Sequence, residues 1–163
     1  MLCASPSTTW AAKPAAGLVP TPARSPIAEE AAPRDVWWLA EAFAASRPNC
    51  DTMVGRGDSM LPLYRDRTVL VIERMEQAQL EPGMTVVFFG DSGRMVAHVL
   101  VERTWRGWIA QGVGNAERDR TLVRADNYLG TVIKAYTPNP EISSVRTPGV
   151  RVAAAGSGVG GRL

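Results

Sequence analysis

The chain is 163 residues long, 45% hydrophobic and 21% charged, with a formal net charge of +2. That size fits one domain with a single modest core, and near-balanced charge gives no electrostatic case for nucleic acid. Two cysteines, Cys3 and Cys50, and one histidine, His98, are too few for a disulfide framework or a zinc site, and nothing calls for a cofactor.

No run of about 18 apolar residues is present to span a bilayer. The start also lacks the basic stretch and apolar core of a secretory signal. A soluble cytoplasmic protein is the expectation.

Residues 1–33 are rich in Ala, Pro, Ser and Thr, with prolines from Pro6 to Pro33. Such spacing forbids a long helix and leaves little to bury, so a disordered tail is expected. The structured domain is expected over 34–140. It opens with a short helix over about 35–46, capped by Asp35 and closed by Pro48. Trp37, Ala40 and Ala44 share one helical face, and Val36, Leu39 and Phe43 another. The helix either packs on the domain or presents Trp37 and Trp38 to a membrane surface or a partner.

Beyond Cys50 the signals are strands. Thr52–Gly55 leads into Gly57-Asp58-Ser59-Met60-Leu61-Pro62, and Thr68–Glu73 is an apolar, β-branched run. Leu80–Gly83 is a turn before Met84–Phe89, and Gly90–Gly93 connects a hairpin into Arg94–Val101. Gly107–Gln111, a polar loop over Gly112–Arg120 and a last strand over Leu129–Tyr136 complete the pattern. Short strands with regular turn signals predict a mainly β domain. The end, 141–163, reads as a flexible Gly/Ala-rich tail, since no strand-to-helix pattern surrounds its glycines.

Chemistry concentrates on Ser59. A serine hydroxyl becomes a nucleophile only beside a base, and arginine cannot serve as one. The remaining bases are His98, Lys13 and Lys134. Lys13 lies in the tail and Lys134 in the final strand, whereas His98 sits in a strand after the serine turn. A histidine in such an apolar strand is often only a satisfied core residue. The Gly112–Asp119 loop, however, supplies carboxylates to orient an imidazole. Asp119 is the leading orienter, with Glu117 and Asp126 in reserve.

The Gly57–Pro62 segment resembles the serine box of the S24/S26 serine peptidase superfamily, which includes signal peptidases and LexA-like peptidases. Arg65–Val71, Glu81–Val87 and Leu129–Val132 are similar to the boxes that follow it, in the same order, so the resemblance covers roughly Met53 to Tyr136. Many members use a serine–lysine dyad; a subgroup of signal peptidases carries histidine at the position of His98. Gln111–Asp119 is similar to the aspartate-bearing loop of that subgroup. The resemblance implies a compact signal-peptidase/LexA-like β domain and a serine endopeptidase with Ser59, His98 and Asp119 as catalytic residues. The substrate would be a peptide or protein. Departures are Val113 in place of a loop aspartate, Val99 where arginine is common, Gly57 where signal peptidases usually carry serine, and no membrane anchor.

Two alternatives accompany this reading. One is a self-processing LexA-like protein, for which Ala16-Gly17 resembles the cleavage dipeptide, although no helix-turn-helix precedes it. The other is a catalytically inactive β-domain that serves as an interaction module.

Overall fold

The computed structural model describes residues 20–143. Cys3, Lys13, the Ala16-Gly17 pair and the Gly-rich end from 144 onward lie outside the described residues. The elements in chain order are β1 (Glu29–Ala31), α1 (Val36–Ala45), β2 (Cys50–Val54), β3 (Val69–Glu73), a 3-10 turn (Gln77–Gln79), β4 (Thr85–Phe89), β5 (Met95–Thr104), β6 (Gly107–Gln111) and β7 (Tyr128–Pro138). The fold is mainly β, as the strand pattern predicts. Among the described residues, no helix is long and apolar enough to cross a membrane.

The sheet runs in the order β2-β3-β7-β4-β5-β6, with every one of these pairs antiparallel. The last strand in sequence lies at its centre. One edge of β7 pairs with β3; the other is shared by β4 near its start and, in parallel, by β1 near its end. Register shifts interrupt β3–β7, β4–β7 and β5–β6. Each such irregularity adds local twist, which lets the sheet curl instead of lying flat.

Successive side chains of a strand point to opposite faces, and here both faces are covered. Leu70 and Ile72 of β3 enter a core with Met60, Tyr64, Val87 and Val99, while Val69 and Val71 enter a second core under α1. In β4, Val86 and Phe88 belong to a third cluster with Leu100, Trp108 and Val123. Unbroken apolar runs such as Val69–Ile72 follow from this double burial. Each fully buried Leu or Phe of these runs contributes about 1.5–3 kcal/mol.

Two expectations need correction. The segment from residue 20 to 33 is part of the fold and not a disordered tail. β1 adds to β7, the Arg24 N–H donates to the Gly83 carbonyl at 3.1 Å, and the Ser25 hydroxyl donates to the same oxygen at 2.9 Å. Backbone bonds hold this stretch, so its small, proline-broken side chains carry no periodic signal. The helix forms over Val36–Ala45, but its buried row is Val36, Ala40 and Ala44. Trp37 does not share that row and is 47% exposed, beside Trp38 at 45%. Asp35 occupies the N-cap position in helical backbone geometry, without a side-chain capping bond.

Candidate active site

The serine turn hangs from the end of β2. The Gly55 N–H donates to the Thr68 carbonyl, the Arg67 N–H to the Gly55 carbonyl, and the Gly57 N–H to Asp66 Oδ1 at 3.0 Å. Gly57 has a φ of +88°, in the left-handed region, with open space where a side chain would begin. Backbone conformation therefore favours glycine here, at a cost of about 1 kcal/mol or more for an L residue. Met60, just after Ser59, is buried in the core and anchors the turn from below.

His98 lies in β5 opposite Val86 of β4, so its side chain shares the face of the Phe88–Leu100 cluster. The ring is 6% exposed and meets Phe88 edge-on, with centroids 6.5 Å apart. It sits one residue beyond the end of the β5–β6 ladder, whose last pair is Val99 and Gln111. Past that point the chain leaves β6, loops through 112–118 and returns along the outer edge of β6. There the Asp119 N–H donates to the Ala110 carbonyl at 2.9 Å, and Val123 bridges to Trp108.

This return path brings a carboxylate to the imidazole. His98 Nδ1 is 2.6 Å from Asp119 Oδ2, and His98 Nε2 is 3.1 Å from Ser59 Oγ. A carboxylate can only accept, so Nδ1 carries the ring proton and Nε2 presents its lone pair to the serine hydroxyl. Both distances lie within hydrogen-bond reach. Three residues from three separate segments thus form one continuous chain of hydrogen bonds.

The other candidates stand apart. Glu117 and Asp126 are exposed, and neither is hydrogen-bonded to His98. Lys134 Nζ is paired with Glu29 and lies near the faces of Phe43 and Tyr136. Val113, at the position of the expected loop aspartate, is 8% exposed and part of the core beneath the serine turn. The loop is fixed by packing there, where charge was expected.

Two residues of this loop escaped the sequence reading. A Cβ at Gly112 would stand 2.5 Å from the Ser59 carbonyl oxygen and 2.9 Å from His98 Nε2. One at Gly114 would stand 2.9 Å from the Asp58 carbonyl, and the Gly114 N–H donates to the Ser59 carbonyl at 2.8 Å. The Gly-x-Gly spacing thus lets two backbones touch, a requirement that is visible only after the turn and the loop are known to be neighbours. Gln111 Nε2 closes the loop on the Asn115 carbonyl at 2.8 Å.

In front of Ser59 and His98 runs an open groove of about 680 Å³. Its lining includes Met53 and Val54 of β2 and Met95, Val96 and Ala97 of β5. Among the described residues, each of these strand segments has an edge without a partner strand, because β2 ends the sheet and β6 pairs only from Val99 onward. Among the described residues, the Ser59 N–H donates to no protein acceptor.

Compared with protein-family models, curated proteins and solved structures, the chain matches none.

Proposed function

We propose that this chain is a serine endopeptidase of the signal-peptidase/LexA-like kind, with Ser59 as nucleophile, His98 as general base and acid, and Asp119 as the group that orients it. The observation that carries the reading is the continuous Ser59–His98–Asp119 hydrogen-bond chain, at 3.1 and 2.6 Å, at the edge of a groove. Buried polar side chains need partners wherever they occur, but this chain ends on a serine hydroxyl 39 residues away in sequence and open to a groove. Structural histidines do not require that arrangement.

In the reaction, Ser59 Oγ bonds to a peptide carbonyl carbon as its proton passes to His98 Nε2. The carbonyl oxygen becomes an oxyanion, for which the Ser59 N–H is an available donor. His98 then gives the proton to the amine as the C–N bond breaks, leaving an acyl ester on Ser59. Water, deprotonated by the same imidazole, hydrolyses the ester and restores the hydroxyl. Asp119 stays a carboxylate and stabilises the imidazolium formed in each half-reaction.

The groove suits an extended peptide, whose backbone can bond to the free strand edges of β2 and β5. With two cysteines in 163 residues, a cytoplasmic setting fits the same proposal. The test is hydrolysis of a diverse peptide library, followed by mass spectrometry. Cleavage by the wild type and none by Ser59→Ala is expected; equal cleavage by both would discard the assignment.

A further inference from the structure

The groove has a charge character that the catalytic reading does not use. Its walls near Ser59 carry three arginines, Arg56, Arg65 and Arg94, and no aspartate or glutamate. Arg65 is committed to Glu30. Arg56 and Arg94 are exposed, and among the described residues neither guanidinium makes an ion pair or a side-chain hydrogen bond. The chain as a whole is close to neutral, so this is a local excess and not a reflection of overall charge.

The two arginines also come from separate segments of the chain. Arg56 stands three residues before Ser59, where β2 gives way to the serine turn. Arg94 immediately precedes β5 and lies four residues before His98, about 13 Å along extended chain. The lining also includes the buried apolar Met60 and Leu70. A second cavity of about 440 Å³ shares Met53 and Met95 with the groove, and its lining holds one acid, Asp51, and one base, Arg74. Among the residues that line this groove, the charges without an ion-pair partner are those of Arg56 and Arg94, with the exposed Asp58 beside Ser59 outside the lining.

Resting on the peptidase reading, we infer that the groove selects acidic substrates: an extended segment, apolar where it meets the apolar lining, with a carboxylate within a few residues of the scissile bond that pairs with Arg56 or Arg94. Guanidinium is suited to this task because its planar donor fork matches a carboxylate in two-point contact. Partial exposure limits each pair to about fivefold in affinity, and added salt screens it further.

The experiment separates binding from chemistry. Fluorescent alanine-rich decapeptides carry a single Glu, Gln or Lys scanned along their length, and their binding to Ser59→Ala is followed by anisotropy at low and high salt. Glu at one or two positions binds about fivefold tighter than Gln, Lys binds weakest, and salt narrows the gap. Arg94→Glu and Arg56→Glu, both at exposed positions, invert the order at the position each contacts. Equal binding of Glu and Gln peptides, a Glu advantage that survives both substitutions, or no binding of any peptide overturns the inference. Cleavage by the wild type without acidic preference defeats this inference and leaves the peptidase reading intact. Acid-selective binding with no cleavage by the wild type defeats the peptidase reading instead.

Discussion

Gly112 touches the serine turn so closely that a single methyl group would collide with the Ser59 carbonyl oxygen at 2.5 Å and with His98 Nε2 at 2.9 Å. The atoms in the way include backbone, which cannot rotate aside. Gly112→Ala therefore pushes the loop off the turn and draws Asp119 and Ser59 away from the imidazole. Overpacking of this kind costs about 1–3 kcal/mol, and misplacement by about 1 Å costs on the order of 100-fold in rate. Kinetics and a thermal melt on the same sample check both.

Asp119→Asn tests the orienting role. The amide can donate where the carboxylate only accepted, so the ring is free to adopt the tautomer that turns an N–H toward Ser59. A loss of about 10³–10⁴-fold in kcat is expected, with little change in KM. The melt should show the fold retained. A loss below about tenfold would mean that Asp119 is a structural partner of His98 only.

Lys134 provides the contrasting case. Its ammonium pairs with Glu29, which belongs to β1, and lies near Phe43 of α1. Lys134→Met should leave peptidase activity unchanged and lower stability by no more than about 1 kcal/mol. Loss of activity without loss of fold would point to a lysine base in place of His98.

Much of the fold was legible because double-sided burial writes continuous apolar runs into β3, β4 and β5. His98 stood out by composition, since the chain has one histidine and two lysines. Asp119 was ranked above Glu117 and Asp126 from its place in the loop that follows His98, and the resemblance of that loop pointed to the same residue. The missed features rest on backbone contacts. The 20–33 segment is held by main-chain bonds to Gly83 and β7, and Gly112 and Gly114 matter because two distant loops touch. Trp37 was misplaced because Trp37 and Val36, adjacent in sequence, suggest overlapping helical stripes, and only packing decides which is buried.

Tyr64 gives a stability prediction at high pH. Burial, against a smaller opposing contribution from a hydrogen bond with Thr85, holds its hydroxyl well above the usual tyrosine range. In the unfolded chain a tyrosine loses its proton near pH 10, to a first approximation. Above that pH the unfolded state binds fewer protons than the native state, so this contribution is whole below about pH 10 and falls as pH rises. Tyr64→Phe removes it, together with the 2.8 Å bond from the Tyr64 hydroxyl to the Pro26 carbonyl. The variant should be less stable by about 1 kcal/mol at neutral pH, yet lose less stability between about pH 8 and about pH 11 in urea titrations. An equal loss in both proteins would contradict this.

The most direct measurement is the rate at which a serine-directed acylating probe modifies the protein, followed by intact mass and located by peptide mapping. The account predicts one adduct, on Ser59, absent from Ser59→Ala. Its rate should collapse in His98→Ala. No adduct on the folded wild type, or an acylation rate indifferent to the loss of His98, would contradict it.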